Sequence, residues 1–267
     1  MSVYAKERPE FLRESLRSLI ASTIQPTEVV LVEDGPIDEQ LQLVVDEARG
    51  LLNIVTVKLP LNRGLPAALN IGLNACSFDL VARFDTDDIC EPNRFALQLK
   101  FMDSHPEVAA LGTAIKEFDS ISGKIMGLRA PPTDHTDIVK FAKLSSPLNH
   151  PSVIFKRKVV QSVGGYPEHL NIAFEDYYLW INLILAGYVL SNLPQTLVQM
   201  RAGYGQASRR SGVRYAEQEL LFAKHFRKAG FFSFVQYLRF IFLRVPIRLF
   251  PKRLVQVAYM LLARTQS

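Results

Sequence analysis

The stretch "VARFDTDDICEPNRF" (residues 81–95) places three carboxylates, Asp85, Asp87 and Asp88, directly after an apolar run. Carboxylates this close repel one another, so they need solvent, a cation or raised pKa values to coexist. Clustered Asp with no nearby His, and with Cys90 as a lone thiol outside any CxxC pair, is a hard-oxygen donor set, suited to Mg²⁺ or Mn²⁺ rather than zinc. The histidines, at 105, 135, 150, 169 and 225, show no HxxH or HxxxH spacing. Magnesium-type ions bind one or two protein carboxylates together with substrate phosphates. Asp85 and Asp87 are therefore expected to share a divalent cation with a diphosphate. Two further acidic motifs stand apart from this one: "VEDG", with Asp34, and "FEDYYLW", with Glu175 and Asp176.

Other ways of holding phosphate are missing. There is no Walker loop, and the only GxG, Gly203-Tyr204-Gly205, lacks a third glycine at the required place and a clean strand before it. An aspartyl-phosphate phosphatase would need Thr or Val after its nucleophile, where Asp88 follows Asp87.

The elements that must carry these acids alternate along the first half. "EVVLVED" (28–34), "NIVTVKL" (53–59) and "DLVARFD" (79–85) read as strands. Helical spacing follows Pro9 (Leu12, Leu16, Leu19, Ile20), Pro66 (Leu69, Leu73) and Pro92 (Phe95, Leu99, Met102). Such alternation predicts βαβ units around a mainly parallel sheet, an α/β class in which ligands bind beyond the carboxyl ends of the strands. Both "VEDG" and "FDTDD" fall at such ends. Regularity fades near residue 112: a strand pair is predicted around Ser122-Gly123, and "PSVIFKRKVV" as a strand running into a helix. Glu175 and Asp176 open another helix, where acids also favour the macrodipole. Two or three helices follow from about 215, punctuated by Gly230, Pro246 and Pro251.

The chain has 267 residues, 48% apolar, and only Cys76 and Cys90, too few for a disulfide framework, so a reducing cytoplasm is the expected setting. The net charge of +5 hides an asymmetry: residues 220–267 carry nine Lys or Arg and no acid. No signal peptide is visible, and the apolar stretch 231–249 is interrupted by Arg239, Arg244, Pro246 and Arg248, a poor membrane span. Cations with Phe231, Phe232, Phe234, Tyr237, Phe240 and Phe242 predict a tail bound to the anionic inner face of the cytoplasmic membrane. The alternative is a helix pair packed on the catalytic domain. Nothing resembles a zinc-finger, homeodomain or RNP pattern, so nucleic acid is not an expected partner.

"MSVYAKERPEFLRESLRSLIASTIQPTEVVLVEDG", "NRGLPAALNIGL", "FDTDDICEPNRF", "HPSVIFKRKVVQSVGGY" and "FEDYYLW" occur in the order found in family 2 glycosyltransferases, over about residues 1–200. The chain most resembles bacterial members that assemble O-antigen and exopolysaccharide repeat units. The resemblance implies a GT-A fold, a nucleotide-sugar donor, Mn²⁺ or Mg²⁺, inversion at the anomeric carbon and an acceptor saccharide carried on a lipid. It divides the chain into a nucleotide-sugar half (1–112), an acceptor half (113–214) and a basic helical tail (215–267). Carried over by position, Asp34 binds the base, with Ser2, Val3 and Tyr4 lining the same pocket. Asn62 and Arg63 lie near the nucleotide and diphosphate. Asp85 and Asp87 form the DxD with Asp88 in support, and Asp176 is the general base, flanked by Glu175 and by Trp180 as an acceptor platform. His150 is a further candidate for touching donor or acceptor, and 199–212 a candidate loop over the diphosphate. Family members usually have several apolar residues before "MSVY", and the QxxRW signature of processive synthases is absent, which favours addition of a single sugar. The competing readings are a nucleotidyltransferase, although "VYAKERPEF" has no glycine, and a non-catalytic basic membrane-binding protein.

Overall fold

The structure is a computed structural model and describes residues 1–168, 174–202 and 212–249. Its first half is the expected alternation: β1 (Ser2–Val3), α1 (Pro9–Ile20), β2 (Val29–Glu33), α2 (Glu39–Arg49), β3 (Ile54–Lys58) and α3 (Leu65–Ala75). These strands form a parallel sheet in the order β1-β2-β3. All five residues of β2, "VVLVE", are buried, as a strand covered on both faces requires. Pro9 and Pro66 sit in the first turns of α1 and α3, where a missing N–H costs nothing.

The strand expected at 79–85 departs from that plan. Only Leu80–Ala82 is regular, and this β4 runs antiparallel to β8 (Ile154–Lys156) in a second, mixed sheet. Its order is β4-β8-β6-β9-β5, with β5 at Ile89–Cys90, β6 at Val108–Asp119 and β9 at Val189–Ala202. The strand pair around Ser122-Gly123 is the hairpin of β6 with β7 (Ile125–Arg129). Helices α4 (Arg94–Ser104), α5 (His135–Phe141), α6 (Arg157–Ser162) and α7 (Glu175–Leu185) complete this part.

The tail forms α8 (Val213–Lys228) and α9 (Phe234–Leu249), parted at Gly230. Pro246 lies inside α9 rather than ending it. Both helices pack on α7 through an aromatic cluster that includes Phe174, Tyr177, Tyr178, Phe222, Phe226, Phe231, Phe232 and Phe240. Three aromatics assigned to membrane insertion, Phe231, Phe232 and Phe240, are thus core residues, a correction that follows from their place in this cluster, where Phe231 meets Phe226 and Phe240 stacks on Phe222. Nor is every tail cation unopposed. Arg244 and Arg248 converge on Glu219, which is fully buried in α8. Among the described residues no helix is long and apolar enough to cross a membrane.

Candidate active site

The acid triplet occupies the short connection between β4 and β5, and a buried scaffold fixes its backbone. Ser15 Oγ of α1 donates to the Asp85 carbonyl at 2.9 Å, and Thr86 Oγ1 donates to Glu7 at 2.7 Å and to the Ser2 carbonyl at 3.3 Å. From the far side comes Arg201, at the end of β9. Its N–H donates to Asp88 Oδ1 at 2.8 Å, its Nε donates to the Asp87 carbonyl at 2.8 Å, and its guanidinium pairs with Glu14. Beneath lies Arg83, only 5% exposed and ion-paired with Asp85. Arg94, wholly buried, donates to the Arg83 carbonyl at 2.9 Å.

One carboxylate oxygen from each of Asp85, Asp87 and Asp88 lies within 4.8 Å of the others. Burial first, then the charge of Asp85, pushes Asp87 up to about 7. The same causes hold Asp88 well above the usual carboxylate range, and its Oδ2 is buried with no hydrogen-bond partner. An orphaned buried oxygen beside two repelling carboxylates fits a hard divalent cation.

The triplet opens into a cleft of about 640 Å³. Asp85, Asp87, Asp88, His150, Glu175 and Asp176 all line it, so two motifs some ninety residues apart in the sequence share one space. Asp176 sits in the first turn of α7 and accepts from Ser146 Oγ at 3.3 Å. Burial, then the charge of Asp176, pushes Glu175 up to about 7. His150 donates or accepts through Nε2 with the Tyr166 hydroxyl at 2.9 Å; burial and the charge of Arg83 hold it well below its usual value, hence neutral.

The residues expected around the nucleotide form a separate cluster beside the triplet. Asp34 N donates to the Val3 carbonyl at 2.8 Å. The Asp34 carboxylate, 4% exposed, accepts from the backbone N–H groups of Arg63 at 2.7 Å and Gly64 at 3.0 Å, while Asn62 Nδ2 donates to its carbonyl at 3.1 Å. Asp34 therefore has a task the sequence does not reveal: it holds the Asn62–Gly64 loop in place. Gly35 allows that approach, having φ 88° and a Cβ position only 2.8 Å from Asn62 N. Tyr4 is exposed and Ser2 half-buried, whereas the Val3 side chain is fully buried and contributes only its backbone.

Trp180 is not an acceptor platform. It is fully buried behind His150, ring edge to ring at 6.1 Å, because it lies on the core-facing side of α7. Phe174, Tyr177 and Tyr215 supply the aromatic wall of the cleft instead. Of the candidate loop 199–212, Gln199–Ala202 belongs to β9, and 203–211 lies outside the described residues. Sequence reasoning passed over Arg83, Glu7 and Ser146, and met Arg201 only as part of the candidate loop 199–212. Only Arg83 carried a signal, two positions before Asp85 and so on the same face of an extended segment.

Known proteins resemble this chain over most of its length. The family described as Glycosyl transferase family 2 matches residues 1–164. The amylovoran biosynthesis glycosyltransferase AmsE of Erwinia amylovora is 39% identical, over 97% of this chain and 96% of the relative. The Escherichia coli UDP-Gal:alpha-D-GlcNAc-diphosphoundecaprenol beta-1,3-galactosyltransferase is 39% identical, over 94% of this chain and 90% of its own length. Among solved structures, the mannosyltransferase PcManGT of Pyrobaculum calidifontis, in complex with GDP-Man and Mn²⁺, superposes with a TM-score of 0.62 at 18% identity, covering 98% of this chain and 73% of that one.

Proposed function

The chain belongs to glycosyl transferase family 2, and on that premise we propose that it transfers one sugar, with inversion, from a UDP-sugar to a saccharide carried on a lipid diphosphate, in bacterial surface polysaccharide assembly. Membership sets aside the nucleotidyltransferase and non-catalytic readings. One cleft brings the acid triplet and Asp176 together, and this supports the reading most directly.

Asp34, through the Asn62–Gly64 loop, presents the nucleotide's side of the site. Asp85 and Asp87, backed by Asp88, are the residues that would hold Mn²⁺ or Mg²⁺, which when bound supplies charge stabilisation to the departing diphosphate. Arg83 balances Asp85 from below, and Arg201 keeps Asp87 and Asp88 in position. Asp176 faces the acceptor side and removes the proton of the attacking hydroxyl. Ser146 orients its carboxylate. Glu175, pushed up to about 7 by burial and then by the charge of Asp176, is partly protonated near neutral pH. The relative acting on a diphosphoundecaprenol saccharide supports the lipid-linked acceptor, and with it a peripheral place on the inner face of the cytoplasmic membrane. The outer face of α9, where Val235, Phe242 and Leu249 are exposed with Arg239, is the contacting surface.

Two substitutions test the division of labour. Asp87→Ala loses metal-dependent donor binding, and with it both transfer and donor hydrolysis. Asp176→Asn keeps metal and donor binding and loses transfer by at least about a hundredfold, since general-base contributions run ~10² to 10⁴-fold. Calorimetric titration of UDP-sugars with Mn²⁺ beside a transfer assay reads both; near-normal transfer by Asp176→Asn would return that residue to a helix-terminal role. Flotation with anionic liposomes tests the membrane face, which Val235→Asp with Phe242→Asp should detach.

A further inference from the structure

Behind the acid triplet stand two cations in places that do not suit a cation. Arg94 opens α4 and is wholly buried. Among the described residues its donors meet neutral groups only: Nε donates to Gln98 Oε1 at 3.0 Å and Nη2 to the Arg83 carbonyl at 2.9 Å, while Nη1 has no hydrogen-bond partner. The rings of Phe84 and Phe95 lie at 5.3 Å from its guanidinium. Its place in the first turn of a helix is unfavourable too, because the macrodipole there is positive and favours acids. Burial works most strongly against the Arg94 charge and Arg83 adds to it, whereas Cys90 and Asp88 act in its favour. Arginine nonetheless stays charged inside proteins.

The arrangement is held firmly all the same. Gln98, also wholly buried, accepts from Arg94 and donates to the Leu111 and Ser152 carbonyls at 3.1 and 2.9 Å. Arg83 N donates to the Val153 carbonyl at 2.8 Å, and its guanidinium, which lines the cleft, pairs with Asp85. A buried cation without a carboxylate beside it costs the fold more than a packed apolar side chain of the same volume would. The charge of Arg94 therefore has a task beyond the core, and the triplet is the group of acids it stands behind.

With Asp85, Asp87 and Asp88 ionised, Arg83 and Arg94 offset two of the three charges, and Arg201 has Glu14 as its own partner. A divalent cation bound alone would leave this region positive. A nucleotide diphosphate bound alone would leave it strongly negative. Bound together, the two restore the starting charge.

We infer that Arg83 and Arg94 tune the acid triplet to accept a divalent cation together with the donor diphosphate, and to hold the bare cation weakly. The inference rests on the proposed metal-dependent UDP-sugar donor and assigns the residues that make the donor–metal pair, rather than free metal, the species bound. Each guanidinium repels the cation and attracts the diphosphate to a like extent, so the neutral pair feels little of either. Removing one should tighten the cation alone, weaken the nucleotide alone and leave the pair nearly as it was. A residue that merely builds the scaffold would weaken all three.

The test uses the full chain at pH 8. Mn²⁺ binding is read from the electron paramagnetic resonance of the free ion and UDP-galactose binding by isothermal titration, each alone and in the presence of the other. The wild type should bind Mn²⁺ alone at least about tenfold more weakly than with UDP-galactose. Arg94→Met should bind Mn²⁺ alone about fivefold tighter or more, and UDP-galactose in EDTA weaker by a similar factor, with the affinity of the pair within about twofold of wild type. Arg94→Lys, which keeps the charge, should return both values toward wild type. Arg83→Gln should show the same opposed changes, and it decides the matter if Arg94→Met does not fold. Joint weakening of Mn²⁺ and nucleotide in the variants, or an Mn²⁺ affinity that does not move, overturns the assignment and leaves the donor reading standing. A wild type that binds neither UDP-galactose nor UDP in Mn²⁺ overturns the donor reading and the inference with it.

Discussion

Deprotonating the metal-free acid triplet should destabilise the fold, and a divalent ion should reverse the effect. Asp87 is pushed up to about 7 by burial and then by the charge of Asp85, against about 4 for an unfolded aspartate. Between those values the folded chain holds a proton that the unfolded chain has released, so stability falls as pH rises through that window. Three pH units at about 1.4 kcal/mol each set a ceiling of roughly 4 kcal/mol. Asp87 is half-buried, and solvent screening brings this to about 1 to 2 kcal/mol, or several degrees of melting temperature for a chain of this size. His150 acts with the opposite sign at the acid end: held neutral in the fold, it favours unfolding below its ordinary value near 6.5. The informative quantity is therefore the difference between wild type and Asp87→Asn, melted at pH 5, 6, 7 and 8 in EDTA and again in saturating Mn²⁺. In EDTA the wild type should lose stability relative to the variant as pH rises. Mn²⁺ should stabilise the wild type increasingly over the same range, because it binds the deprotonated acids. Parallel pH curves in EDTA, or an Mn²⁺ effect independent of pH and of Asp87, would refute the reasoning.

Gly35→Ala should displace the Asn62–Gly64 loop, since its Cβ would meet Asn62 N at 2.8 Å with φ at 88°; UDP affinity should fall tenfold or more by calorimetry. Asp34→Asn should also weaken UDP more than Mn²⁺, because an amide nitrogen cannot accept from Gly64 N, and equal UDP affinity would count against the assignment. Glu219→Ala should cost about 3 to 5 kcal/mol in urea denaturation by leaving Arg244 and buried Arg248 without their shared carboxylate.

The positions of the acids were legible because each motif follows a short apolar strand or opens a helix, and those boundaries are local. Their meeting in one cleft was implied only by the resemblance, since it depends on β9 crossing beside β5 and on α7 docking against the second sheet. The antiparallel placement of β4 was not legible: three regular residues carry no information about strand direction. Asp34 suggested a base-binding residue and not a loop anchor, because its partners are backbone N–H groups with no sequence signature. Trp180 was misread for a physical reason. Acids at 175 and 176 suggested an open helix, but an indole four positions after Asp176 turns with the helix into the core. The tail's composition was equally ambiguous, since Phe, Leu and Arg suit a membrane surface and a packed helix pair alike, and the structure uses them for both a core and an exposed face.

The docking of α8 and α9 on α7 has a consequence for how such enzymes can be recombined. The C-terminal helices fill a shared core through Phe222, Phe226, Phe231, Phe232 and Phe240, and they also furnish Leu243, Arg244, Ile247 and Arg248 to the cleft. The tail is consequently not an interchangeable module. A chimera that exchanges residues from 213 onward with a relative would import a different aromatic interface against Tyr177 and Tyr178 together with different side chains in the lining of the cleft. Loss of activity in such a hybrid would not separate a disrupted core from a rebuilt cleft. Substitutions at single positions, in the aromatic cluster or in the cleft, separate the two.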